Sequence, residues 1–187
     1  MQELSLHILD IIQNSIAALA DLISVEIEED SKRDSLMISI RDNGRGIPRE
    51  YLSQAVDPFY TSRQTRKVGL GLSLLQQAAV QTDGYLDISS EEGKGTEVRA
   101  FFKHSHIDRM PLGDIAKTMS ILIIGNPQVD FAYFHRVEGD EFRFDTRSLR
   151  DELDGIPLHD PHVTGFIFQE FEGWMTRRNS ILRGGRR

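Results

Sequence analysis

An aspartate at the end of an apolar strand, followed at once by two glycines, constrains this chain more than any other feature. Leu36, Ile38 and Ile40 alternate with Met37, Ser39 and Arg41, the two-residue period of a half-buried strand over 35–41. Asp42-Asn43-Gly44-Arg45-Gly46-Ile47-Pro48 follows directly. Gly44 and Gly46 let the backbone turn sharply and approach a flat ligand closely. A carboxylate there accepts a hydrogen bond from an exocyclic amine while water bridges a ring nitrogen, which suits adenine, whereas guanine offers a carbonyl at the equivalent place. Asp-x-Gly also occurs in plain turns, so the neighbouring segments decide between the two readings.

Upstream, Leu4, Ile8, Ile11, Ile12 and Ile16 recur at helical spacing and predict a helix over 3–21. Ile23, Val25 and Ile27 alternate with Ser24, Glu26 and Glu28, predicting a strand over 23–28 antiparallel to 35–41, with 29–34 as the turn. Pro48 suits the first turn of a short helix to about residue 56. Residues 57–68 lack periodicity and read as a loop, 70–79 as a helix, and Tyr85, Leu86 and Ile88 as the start of a third strand. Gly93 and Gly95 mark a turn before a fourth strand over 96–102. This order predicts an α/β sandwich of the α+β kind, with helices on one face of a mixed, mostly antiparallel sheet.

After Lys103 the character changes. Residues 104–114 are polar, include Pro111 and Gly113, and read as a linker. Beyond them come a helix over 114–124, a hairpin of 129–137 and 141–145, a helix over 146–154 capped by Asp145 or Thr146, and a helix over 161–178. The expected division is residues 1–104 and a small α+β C-terminal extension, residues 105–187.

The net charge of −7 argues against broad nucleic-acid binding. The absence of cysteine excludes disulfides, thiol catalysis and cysteine–zinc sites. No apolar run approaches the roughly 20 residues of a membrane span, and Glu3 and Asp10 break any signal-peptide pattern. A cytoplasmic protein is expected. Arg177, Arg178, Arg183, Arg186 and Arg187 form a basic tail that reads as solvated rather than as a docking arm.

Asp10 and Asn14 stand four residues apart, on one side of the first helix. An amide oxygen suits Mg²⁺, and a carboxylate one turn earlier can orient or deprotonate a nucleophile. Gly69-Leu70-Gly71-Leu72 opens a helix whose N–H groups can hold phosphate oxygens. Arg63, Arg66 and Lys67 place positive charge in the loop before this helix, which also reads as solvated charge. Gly93-Lys94-Gly95-Thr96 reads as a hairpin turn. His7 lies one turn before Asp10 and reads as a packed or surface histidine rather than a phosphoacceptor.

These four segments, in this order and spacing, resemble the ATP site of the GHKL superfamily (Bergerat fold), over roughly residues 3–103. The run Asp57-Pro58-Phe59-Tyr60-Thr61-Ser62-Arg63 resembles the ATP lid of histidine kinases, with Arg63 at the usual lysine. Position 10 departs from the histidine-kinase pattern, where asparagine is common; gyrase-, Hsp90- and MutL-like members carry a glutamate base there, and Asp10 keeps the carboxylate one methylene shorter. The resemblance implies ATP and Mg²⁺ as ligands. It implies Asp42 as the adenine reader and Asn14 as the metal ligand. Gly44, Gly46, Arg63, Gly69, Gly71, Leu72 and Thr96 complete the nucleotide site, and Asp10 is the candidate base. The chain matches neither the phosphoacceptor helices of a histidine kinase nor a gyrase-type transducer. The expected function is therefore Mg–ATP-dependent phosphotransfer to a separate protein, or slow hydrolysis, in signal transduction. The alternative is a slow or non-catalytic, ATP-gated binding protein resembling an anti-sigma factor. A homodimer is left open.

Overall fold

The computed structural model describes residues 3–52 and 70–184. Helix α1 (Leu4–Ala17) forms where Leu4, Ile8, Ile11 and Ile12 return to one face and become buried. Glu3 makes no side-chain cap for it. Its first N–H groups go instead to the backbone of a distant segment: Leu4 N donates to Pro111 O at 3.0 Å and Ser5 N to Leu112 O at 2.9 Å. Every helix start leaves such donors open, and here residues 111–112 satisfy them. The segment that composition presents as a linker is thus packed on the start of α1, with Leu112 buried.

Strands β1 (Leu22–Asp30) and β2 (Ser35–Asp42) pair antiparallel, Val25 opposite Ile40 and Ile27 opposite Ile38. Then come α2 (Arg49–Leu52), α3 (Leu70–Val80), β3 (Tyr85–Glu91) and β4 (Gly95–Lys103). The expected continuation of α2 to residue 56 and the loop over 57–68 lie outside the described residues. In the second half, α4 (Ile115–Gly125) is capped by Asp114, whose carboxylate accepts from Lys117 N at 3.0 Å. Strands β5 (Asp130–Val137) and β6 (Asp140–Asp145) form a hairpin, with Glu138 and Gly139 at φ 50° and 95° as a two-residue turn of the kind that matches strand twist. Asp145 caps α5 (Thr146–Leu153), and α6 (Pro161–Gly184) buries Val163, Ile167, Phe171 and Trp174 along one stripe.

The six strands make one sheet in the order β3-β4-β2-β1-β5-β6. β5 runs parallel to β1, Val25 beside Tyr133, and the other four pairings are antiparallel. The sheet therefore continues across residue 104 without a gap. Ile23, Ile27, Leu36, Ile38, Ile40, Val98, Phe102 and Phe131 line its helix-covered face in one apolar cluster with residues of α1, α3, α4 and α6. Burial of each large apolar side chain stabilises the fold by about 1.5–3 kcal/mol. The alternate residues, such as Glu26 and Arg99, face outward and are exposed, giving an open sheet.

The alternation of β1 carries one residue further than its apolar pattern suggests. Glu29 lies on the core face and is buried, although the sequence places it in a turn. Its Oε1 accepts from His135 Nε2 at 2.9 Å and from Arg178 Nε, and its Oε2 accepts from Arg178 Nη2 at 2.7 Å. His104 Nε2 stands 3.7 Å from Oε2. Burial would raise this carboxyl, but the two imidazoles and the guanidinium outweigh burial and hold it well below the usual carboxylate range. Trp174 Nε1 donates to His135 Nδ1 at 2.9 Å. An indole nitrogen only donates, so His135 carries its proton on Nε2 and is neutral, as its burial also favours. Tyr133, Phe142, Phe144, Phe171 and Trp174 pack around this group.

Candidate nucleotide-binding site

Asp42 ends β2 at the opposite end of the sheet from Glu29, since Ile23 pairs with Asp42 and Glu29 with Leu36. The residue is only 8% exposed. Its Oδ1 accepts from Gly44 N at 2.9 Å and from Thr96 N at 3.2 Å, and its Oδ2 accepts from the Ser15 hydroxyl at 2.6 Å. Three donors from α1, the glycine loop and β4 thus fix the carboxylate in one orientation.

The loop after Asp42 is held on both sides. Arg45 N donates to Ala18 O at 2.9 Å, at the end of α1, and Gly93 N donates to Arg45 O at 2.7 Å. Asn43 Oδ1 accepts from Asp21 N and Leu22 N at 3.1 and 3.0 Å. Gly46 has φ +68°, and a Cβ there would lie 2.1 Å from Glu91 O. Gly95 has φ +100°, and a Cβ there would lie 1.9 Å from Asp42 O. Both positions demand glycine on conformation and space alike. Gly44 borders Ala18 O, 2.8 Å from where a Cβ would stand.

Thr96 reaches Asp42 through its backbone. Its hydroxyl lies 2.9 Å from Ser90 Oγ, which also accepts from Ile47 N at 2.8 Å. On α1, Asp10 is half-buried and Asn14 exposed, one turn apart on one side of the helix. Gly71 brings the first turn of α3 against Asp10: a Cβ there would stand 3.1 Å from Asp10 Cβ and 3.6 Å from its Oδ2. Leu72 is partly buried and packs on the core. Arg63 and Gly69, like Arg66 and Lys67, lie outside the described residues. His7 is buried, and burial lowers its pKa, as for a packed histidine.

The structure therefore gathers Asp10, Asn14, Asp42, Gly44, Gly46, Gly71 and Thr96 around the end of α1, the end of β2 and the start of α3. Sequence reasoning passed over Ser15, Asn43 and Ser90. Ser15 had a visible signal: it continues the buried stripe of Ile8, Ile11 and Ile12, where a polar side chain must find a partner.

An open mixed sheet with helices on one face, and a glycine-bounded carboxylate at its end, define an ATPase-type α/β sandwich. The model of the histidine kinase-, DNA gyrase B- and HSP90-like ATPase family matches residues 2–106, and the chain belongs to that family. The Aquifex aeolicus MutL ATPase domain complexed with ADP is similar in structure, with a TM-score of 0.51 and 18% identity, covering 82% of this chain and 68% of that one. The N-terminal domain of a DNA repair protein is similar at a TM-score of 0.53 and 17% identity, covering 76% and 52%. Both likenesses concern the fold. In sequence, the chain is 36% identical to sporulation kinase C of Bacillus subtilis over 88 residues, which is 47% of this chain and 20% of that protein. It is 34% identical to sensor kinase CckA of Brucella abortus over 83 residues, 44% of this chain and 9% of that one. The chain thus spans a fifth or less of these two relatives. Among the described residues, no helix is long and apolar enough to cross a membrane.

Proposed function

We propose that this chain binds Mg–ATP and passes the γ-phosphate to a protein acceptor, or slowly to water, in signal transduction. The observation that carries the reading is Asp42: a buried carboxylate fixed by three donors, at the open end of the sheet, on the same helix-loop framework as Asn14 and Asp10. Asp42 takes the adenine amine, and Gly44, Gly46 and Thr96 shape its surroundings. Gly71 admits the phosphates to the start of α3, with Leu72 packed behind it, and Gly69 and Arg63 extend that contact. Asn14 supplies an amide oxygen, a hard ligand that fits Mg²⁺. Asn14 holds the ion, which supplies neutralisation of phosphate charge when bound. Asp10 orients the nucleophile and accepts its proton. The kinases among the relatives support phosphotransfer as the class of reaction. A cytoplasmic setting and a separate phosphoacceptor or partner, with a homodimer left open, belong to the same reading.

A second reading has its own support. The extension over 105–187 adds β5 directly to β1 and seats residues 111–112 on α1, the helix that carries Asp10 and Asn14. ATP bound at α1 would then be coupled to a partner surface on the extension, with slow turnover or none.

Incubation with γ-labelled ATP, alone and with candidate acceptor proteins, separates the two. Label on a protein or in free phosphate, reduced about 100-fold or more by Asp10→Asn, is expected for the first reading. Bound ATP with no movement of label decides for the second, and unchanged turnover in Asp10→Asn removes Asp10 as the base.

A further inference from the structure

We infer that the Ser15 hydroxyl aims Asp42 and thereby sets the preference for a purine bearing an exocyclic amine; this deepens, and rests on, the reading of the pocket as an adenine site. Ser15 is 3% exposed and lies on the core stripe of α1. Its Oγ stands 2.6 Å from Asp42 Oδ2 and 3.3 Å from Ile11 O. A hydroxyl has one proton, and the shorter contact, to the charged acceptor, takes it.

A carboxylate offers about four lone-pair positions. Gly44 N and Thr96 N occupy both on Oδ1, and Ser15 occupies one on Oδ2. Among the described residues this leaves one acceptor direction on Asp42, and it lies on Oδ2. The serine thus does two things. It adds a third hydrogen bond, on the other oxygen, against turning about the Cβ–Cγ bond, and it leaves a single position for an incoming N–H. Asn14 is the next residue on the same helix, so one turn of α1 sets both the base end and the phosphate end of the site. Ser15 touches Asp42 rather than the nucleotide and is a positioning residue.

The test is calorimetric binding of Mg–ATP and of purine riboside 5′-triphosphate, which is ATP without its exocyclic amine, to wild type, Ser15→Ala and Ser15→Thr. The quantity read is the ratio of the two affinities within each protein, which is independent of the folded fraction. Wild type should prefer ATP. Ser15→Ala should lower that preference about tenfold or more, the worth of one hydrogen bond to a charged group, with affinity for the amine-free nucleotide nearly unchanged. Ser15→Thr keeps the hydroxyl and should keep the preference. An equal loss for both nucleotides in Ser15→Ala, or an unaltered preference, overturns the inference while leaving the adenine reading intact. Absence of any preference for ATP in wild type overturns the adenine reading itself.

Discussion

Two carboxylates sit on the core face of neighbouring strands, one near each end of the sheet, and they differ in the charge of their partners. Glu29, on β1, receives His135 and Arg178 on one oxygen and Arg178 on the other, with His104 nearby. Asp42, on β2, receives three donors, and the described residues leave one position on Oδ2 for something else. Buried polar groups are normally satisfied. A set that includes a counter-charge, as at Glu29, ties elements together: it joins β1 to β5 and to α6, across 149 residues of sequence. A set of neutral donors, as at Asp42, leaves the carboxylate without a cationic partner among the described residues and suits a ligand. Polarity, burial and the number of donors, three at each carboxylate, do not separate a clamp from a site; the cationic partner at Glu29 does.

The comparison breaks most visibly if the clamp is cut. Arg178→Ala leaves Glu29 buried without its charged partner, and loss of one member of a buried pair costs about 3–5 kcal/mol. Urea unfolding should show that loss, and ATP affinity of the folded protein should stay within about twofold because Arg178 is remote from Asp42. A loss below about 1 kcal/mol would mean that water already reaches Glu29.

A smaller effect concerns acid. Glu29 has its folded pKa depressed, so its contribution is present above the unfolded value of 4.5 and is lost as pH falls below it. His135 and His7 are also depressed, by burial, so below their unfolded value of 6.5 the unfolded chain binds more protons than the native one and stability falls there too. Stability should thus decline gently from pH 7 to 5 and more steeply below about 4.5. Glu29→Gln should flatten the lower limb, and His135→Gln the upper one. A wild-type profile level between pH 7 and 5 would contradict neutral, buried histidines.

Much of this was legible from residues alone, and the exceptions share a cause. The strands around Asp42, the glycine loop and the helix carrying Asp10 and Asn14 follow local rules of period and turn chemistry. The attachment of β5 beside β1 does not, because a parallel pairing between residues a hundred positions apart leaves no periodic trace in either strand. Residues 104–114 look like a linker because Pro111, Gly113 and polar side chains say nothing of backbone carbonyls, and it is carbonyls that serve α1. Glu29 reads as part of a turn because its burial depends on Arg178, far down the chain. Ser15 was the nearest miss: its place on the apolar stripe was visible, but its partner depended on how α1 meets the end of β2.

The most direct test of the claim that Asp42 is the ligand reader is titration of Mg–ATP into wild type and Asp42→Asn, with unfolding midpoints measured beside it. The amide puts an N–H where an acceptor is needed, so the account predicts one ATP bound per wild-type chain. It predicts affinity about 30-fold weaker or worse in the variant, at a stability changed far less than by cutting the Glu29 clamp. Equal affinity in the two proteins would contradict it.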